Sequence, residues 1–163
     1  MLNVIVAYCK NRGIGINNKI PWKLETDMKM FKQLTVGNKR NAVIMGRKTW
    51  ESLPKPLSNR TNIILSNTVN EFEGGIAKRS LFDAREYCRN NNIDTSWIIG
   101  GSSLYKEVIF GDLVSLIYVT DIGNDFKCDA FFTEIPKNYK LISQSCVKDE
   151  EDIIFKYKLF KKV

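Results

Sequence analysis

Short apolar runs and longer amphipathic stretches alternate along most of this chain. Leu2–Cys9, Asn41–Met45, Thr61–Leu65, Ser96–Ile99 and Leu113–Thr120 are apolar and rich in β-branched residues. That is the pattern of strands buried on both faces. Between them the spacing predicts helices near Glu25, over Arg47–Leu53, behind a Ser80 cap with Asp83 three residues on, and over Ser102–Ile109. Alternation of this kind predicts a largely parallel sheet with helices packed on it. The end of the chain breaks the rule. Tyr139–Val147 and Asp152–Phe160 read as two strands joined by an acidic turn, Lys148–Glu151, so an antiparallel hairpin strand is expected in the sheet.

One connection has no sustained period. Lys10–Pro21 carries Gly13, Gly15, Asn17 and Asn18 together with Ile14, Ile16 and Ile20. A dozen irregular residues with apolar side chains among them read as a lid over a binding site.

Composition narrows the chemistry. The 163 residues suit one domain, expected over residues 1–163 without repeat, low-complexity segment or linker. No apolar run approaches the ~20 residues of a membrane span, and the N-terminal apolar run reads as a strand, not a leader. The four cysteines are scattered without a CxxC pair, and there is no histidine. A structural zinc site is therefore not expected, and four reduced thiols in a cytoplasmic protein are. The formal charge of +7 suits an anionic partner. Lys156 and Lys158 alternate with Phe155, Tyr157 and Leu159 as the polar face of a strand, so nucleic acid is not the expected partner.

Three features bear on function. Asp27 falls on the apolar stripe Leu24, Met28, Phe31 and Leu34 of the first helix, where a carboxylate needs a partner or a proton. An acidic residue favoured by the helix dipole would occupy the same turn. Two glycine turns, Met45-Gly46-Arg47-Lys48-Thr49 and Ile99-Gly100-Gly101-Ser102, each end a strand and open a helix, as phosphate-holding backbone does. Neither is a GxGxxG fingerprint. Without histidine, the usual Ser-His and Cys-His dyads are missing, which leaves a lone carboxyl and a cofactor to carry a reaction.

In order along the chain, Gly13-Ile14-Gly15, Pro21-Trp22 with Asp27 and Phe31, and Val43–Ser52 are followed by Pro56-Leu57, Arg60–Ser66, Ile98–Gly101 with Tyr105, and Tyr118–Thr120. This series resembles the dihydrofolate reductases, of the bacterial type with aspartate as the pterin-binding carboxylate. The resemblance implies an α/β domain with a central, mostly parallel eight-stranded sheet, an antiparallel C-terminal hairpin strand and about four flanking helices. It implies NADPH as cofactor and dihydrofolate as substrate, with hydride passing to C6 and a proton to N5. Asp27, Trp22 and Thr120 would serve catalysis, and Asp27, Phe31, Leu53, Leu57, Arg60 and Thr120 would hold substrate. Arg60 would grip the glutamate tail. On the cofactor side it implies Ala7, Ile14 and Ile20 around the nicotinamide. Gly46, Arg47, Lys48, Thr49, Ser66, Arg79, Gly100, Gly101, Ser102, Ser103, Leu104 and Tyr105 would take the rest, with Arg47 and Arg79 meeting the 2′-phosphate. Antifolates would bind in place of substrate, and the chain would act as a monomer.

The chain departs from the family pattern at Ile20, where many bacterial members have methionine, at Ser103, where some relatives offer arginine, and at Pro54-Lys55-Pro56, which stiffens the loop over the substrate. Two alternatives remain open at this level. A pyrimidine reductase of riboflavin synthesis would share the cofactor turns but lack Trp22, Asp27 and Arg60. A silent scaffold binding RNA would not need Asp27 and Thr120.

Overall fold

A computed structural model describes residues 1–163. Its strands are β1 (Leu2–Tyr8), β2 (Gly13–Gly15), β3 (Asn41–Gly46), β4 (Thr61–Leu65), β5 (Ile76–Lys78), β6 (Thr95–Ile98), β7 (Leu116–Ile122), β8 (Ala130–Phe131), β9 (Tyr139–Gln144), β10 (Lys148–Glu150) and β11 (Ile153–Lys162). The helices are α1 (Glu25–Val36), α2 (Arg47–Ser52), α3 (Leu81–Asn90) and α4 (Ser102–Phe110). The main sheet runs β10-β11-β7-β1-β6-β3-β4-β5, with β9 also paired to β11. The six strands from β7 to β5 are parallel, and β9, β10 and β11 are antiparallel to their neighbours.

Alternation along the strands builds two cores. Ala42, Ile44, Ile63, Ile98, Ile117 and Val119 face α3 and α4, whose Leu81, Ala84, Leu104 and Val108 close that side. Val43, Met45, Ile64 and Trp97 point the other way and meet Leu34 of α1 and Trp50 of α2. Both sheet faces are therefore covered, which is why the strands are apolar at consecutive positions. Ser80 caps α3 as its sequence position suggests, accepting from the Asp83 N–H at 3.1 Å.

The sheet has nine strands, one more than the eight expected, because the acidic run is not a turn. Lys148–Glu150 pairs with Phe155–Ile153, and the reversal is the two residues Glu151 and Asp152, at φ 50° and 66°. Positive φ at both central residues matches the twist of the flanking strands. The strand expected from Leu113 begins at Leu116, where pairing with Asn3 of β1 starts. On α1 the apolar stripe is also redrawn. Met28 is exposed and Thr35 is buried, so the inner edge runs Leu24, Asp27, Phe31, Leu34, Thr35.

Candidate active site

Ligands of parallel α/β sheets sit beyond the carboxyl ends of the strands, where the chain order reverses. Here β1 lies between β7 and β6, and the chain leaves it toward β3, so the reversal falls beside β1. Ala7 near the end of β1 is level with Thr120 of β7.

Asp27 faces that row from the first turn of α1. The Thr120 hydroxyl donates to Asp27 Oδ1 at 2.6 Å. Burial pushes the Asp27 carboxyl above its ordinary value, the Thr120 hydrogen bond draws it down, and the charge of Glu150 adds to the rise. The start of α1 is held from another element. Leu24 at the N-cap offers no side-chain bond. Instead the carboxylate of Glu150 in β10 accepts from the Thr26 hydroxyl. That bond, with backbone N–H groups of Thr26 and Glu25, holds the Glu150 carboxyl below the usual range.

On the expected substrate side, Trp22 packs on Phe126 with ring centroids 5.5 Å apart. Phe31 is half-buried, and Leu53 and Leu57 rest on the core of Val43, Met45, Ile64 and Trp97. Arg60 is aimed by two bonds, Nε to the Ser58 carbonyl at 2.7 Å and Nη1 to Thr35 Oγ1 at 3.0 Å. Burial lowers its pKa from the ordinary value. The buried Asn62 amide fixes the loop before it, accepting from Leu57 N–H and donating to the carbonyls of Leu57 and Arg60.

The two glycine turns meet beyond the carboxyl ends of β3 and β6. Gly46 N–H donates to the Gly100 carbonyl at 2.9 Å. Gly100, at φ +134°, leaves only 3.1 Å between an added Cβ and Thr49 Oγ1. The Gly100–Gly101 peptide is cis. Helices α2 and α4 both begin without a side-chain cap, so the first N–H groups of each, from Arg47 and from Ser102 onward, lack acceptors within their helix. Arg47 Nε pairs with Glu51 at 3.3 Å and Nη1 reaches Thr68 at 3.5 Å, while Lys48, Ser103 and Arg79 are exposed. Ser66 Oγ accepts from the N–H groups of Thr68 and Val69. The side chains of Leu104 and Tyr105 belong to the core, and the Tyr105 hydroxyl donates to the Ile5 carbonyl at 2.9 Å.

The expected lid is ordered by its own turn and by bonds to segments distant in the chain. Gly13–Gly15 pairs with β8, and Asn17-Asn18 form a two-residue turn, both at positive φ, closed by Ile16 and Lys19. Asp129 secures it twice, its N–H donating to the Gly15 carbonyl and its Oδ2 accepting from Asn17 N–H at 3.0 Å. At the tip, Asn18 Nδ2 donates to the Lys48 carbonyl at 2.8 Å. Ile14 packs inward on the core, whereas Ile20 is 64% exposed.

Comparison with known proteins decides the family. The family described as dihydrofolate reductase matches residues 1–162. The chain belongs to the dihydrofolate reductase family. Relatives carrying that name in Aedes albopictus and Bos taurus are 36% and 39% identical, each over 99% of this chain and 97% of the relative. The Drosophila melanogaster dihydrofolate reductase is 35% identical over 98% of this chain and 97% of its own length. Four residues that brace the candidate site were given no role from sequence. Thr35 and Asn62 occupy ordinary helix and strand positions, Glu150 lies in the expected acidic turn, and Asp129 lies in a stretch the pattern leaves unassigned. The only available signal was a polar residue inside an apolar pattern at Thr35 and Asn62.

Proposed function

We propose that this chain catalyses the NADPH-dependent reduction of 7,8-dihydrofolate to 5,6,7,8-tetrahydrofolate, as a cytoplasmic monomer that supplies one-carbon metabolism and thymidylate synthesis. One observation carries the reading. A carboxyl group, raised by burial and bonded by Thr120, stands in the first turn of α1, a guanidinium is held by Thr35 near the end of the same helix, and two glycine turns are bonded to each other beyond β3 and β6.

Asp27 is the one carboxyl on the inner edge of α1, and its second oxygen is not engaged by Thr120. A planar pair of donors, the exocyclic amino group and adjacent ring nitrogen of a pterin, suits such a carboxylate. Phe31, Leu53 and Leu57 would flank the ring and benzoyl portion. Arg60 is pre-aimed by Thr35 and Ser58, so an anionic tail meets a guanidinium that loses little freedom on binding.

The cofactor side fits a dinucleotide. A side chain at Gly100 would crowd Thr49 and one at Gly46 would lie against the Gly101 N–H, and the uncapped starts of α2 and α4 would present N–H groups to phosphate oxygens. Gly46, Arg47, Lys48 and Thr49 would hold the adenosine end. Gly100, Gly101, Ser102, Ser103 and the backbone of Leu104 would take the other phosphate, and Tyr105 would support that turn from the core. Ser66, Arg79 and Arg47 would meet the 2′-phosphate, Arg47 by exchanging Glu51 for it, which favours NADPH over NADH. Ala7, Ile14 and Ile20 would enclose the nicotinamide, the exposed Ile20 losing its contact with water. When bound, NADPH supplies the hydride taken up at C6.

The chain's own part is the proton at N5. Burial disfavours the charged form of Asp27, so it keeps its proton to a higher pH than an ordinary carboxylic acid, and Thr120 fixes its orientation. Trp22 offers an indole N–H that can hold a water beside the ring. Antifolates with a similar planar donor set would compete for Asp27. Purified protein mixed with NADPH and dihydrofolate should oxidise the cofactor, and NADH should serve less well. A folded protein without turnover would overturn the proposal.

A further inference from the structure

Tyr157 is a half-buried side chain with a buried hydroxyl that the mechanism above does not use. In β11 it is level with Thr120 of β7, which is level with Ala7 of β1, so the three form one row across the sheet. Directly opposed residues point to the same face with Cβ atoms about 5 Å apart. Tyr157 therefore flanks Thr120 on the face from which Thr120 reaches Asp27. Its ring meets Phe155 edge-on with centroids 5.7 Å apart and packs on the cluster of Cys9, Leu24, Ile122 and Phe155 beside Trp22. Its hydroxyl is buried and makes no hydrogen bond to any protein group.

A phenylalanine would fill the same space without leaving a buried hydroxyl unmet. What sets Tyr157 apart is its neighbours. Burial, then the carboxylates of Asp27 and Glu150, push its phenol up to about 12, so it remains a donor throughout the working range.

We propose that Tyr157 is a positioning residue for Asp27, its hydroxyl donating through one bridging water to the Asp27 carboxylate. Two hydroxyls from adjacent strands, Thr120 and Tyr157, then set how readily Asp27 holds its proton. The inference rests on Asp27 being the acid of the proposed reaction. The other polar and charged groups around the row are Thr26 and Lys29 of α1, Glu150 of β10, Trp22, the Cys9 thiol after β1, and Ser145, whose Oγ accepts from the Tyr157 N–H at 2.9 Å. Lys156, Lys158 and Asp121 alternate to the opposite face, where Lys158 pairs with Asp121 at 2.7 Å.

The test is a carbon NMR titration of the Asp27 carboxyl, assigned through Asp27→Asn, in wild type and Tyr157→Phe. Loss of a donor to the charged form should move the Asp27 midpoint upward by about half a unit or more. The pH midpoint of hydride transfer should move with it, while the melting temperature holds or rises. Incorporating 3-fluorotyrosine at position 157, a more acidic phenol, should move the Asp27 midpoint downward. If the Asp27 titration is the same in all three proteins, Tyr157 is packing alone and the proposal is wrong. The titration needs no turnover, so it separates failure of this pairing from failure of the proposed reaction.

Discussion

Asn18 ties the tip of the lid to the first turn of α2 through a 2.8 Å hydrogen bond to the Lys48 carbonyl. It joins the segment expected to cover the nicotinamide to the turn expected to hold the adenosine end. Asn18→Ala removes that tie without touching the core. An exposed neutral hydrogen bond is worth about 1 kcal/mol, so NADPH should bind roughly fivefold more weakly. The melting temperature should hardly move. Fluorescence titration with NADPH checks this, and unchanged affinity would show that the tie has no part in binding.

Gly13 is required by its neighbours. A Cβ there would lie 2.5 Å from Cys128 Sγ and 2.8 Å from Cys128 Cβ. Gly13→Ala should destabilise the fold by about 1–3 kcal/mol, the usual range for overpacking. Shortening the opposing side chain with Cys128→Gly should restore part of the loss, and the non-additivity is readable in a double-mutant cycle. Additive losses in urea melts would contradict the contact.

Arg60 depends on Thr35 for its aim. Thr35→Val keeps the shape and removes the acceptor for Nη1. The KM for dihydrofolate should rise several-fold, on the order of 1 kcal/mol. A dihydropterin lacking the glutamate tail should show no such change, and steady-state kinetics with both substrates reads the difference.

Much of this was legible because buried parallel strands advertise themselves. The apolar run Thr61–Leu65 coincides with β4, and the periodic stretches Arg47–Leu53 and Ser102–Ile109 each end within one residue of α2 and α4. What sequence could not reveal depends on partners distant along the chain. Glu150 looks like turn because its hydrogen bonds go to Thr26 and Glu25, far from it in sequence. Met28 shares the helical period of Leu24 and Phe31, yet nothing in the fold covers it. Asp27 was legible as an anomaly, while the hydroxyl that bonds it had to come from the resemblance, since Thr120 sits in an unremarkable strand.

The raised pKa of Asp27 also has a cost in stability. The folded chain binds this proton more tightly than the unfolded chain, so stability falls as pH rises from the unfolded carboxylate value through the folded one. The penalty is absent below that window and complete above it. Asp27→Asn should therefore melt at a higher temperature than wild type at neutral pH, its side-chain oxygen still accepting from Thr120. The difference should shrink as pH falls toward the ordinary carboxylate range near ~4. Thermal melts across pH test this, and a less stable variant at neutral pH would contradict it.

The most direct test of the account is the single-turnover rate of hydride transfer from NADPH to dihydrofolate, followed across pH in wild type and Asp27→Asn. With Asp27 as the proton source, the wild-type rate should fall as pH rises past the raised pKa. The variant should be slower by roughly 10²–10⁴-fold and lose that pH response. A variant that matches wild type in rate and pH profile would contradict the assignment of Asp27.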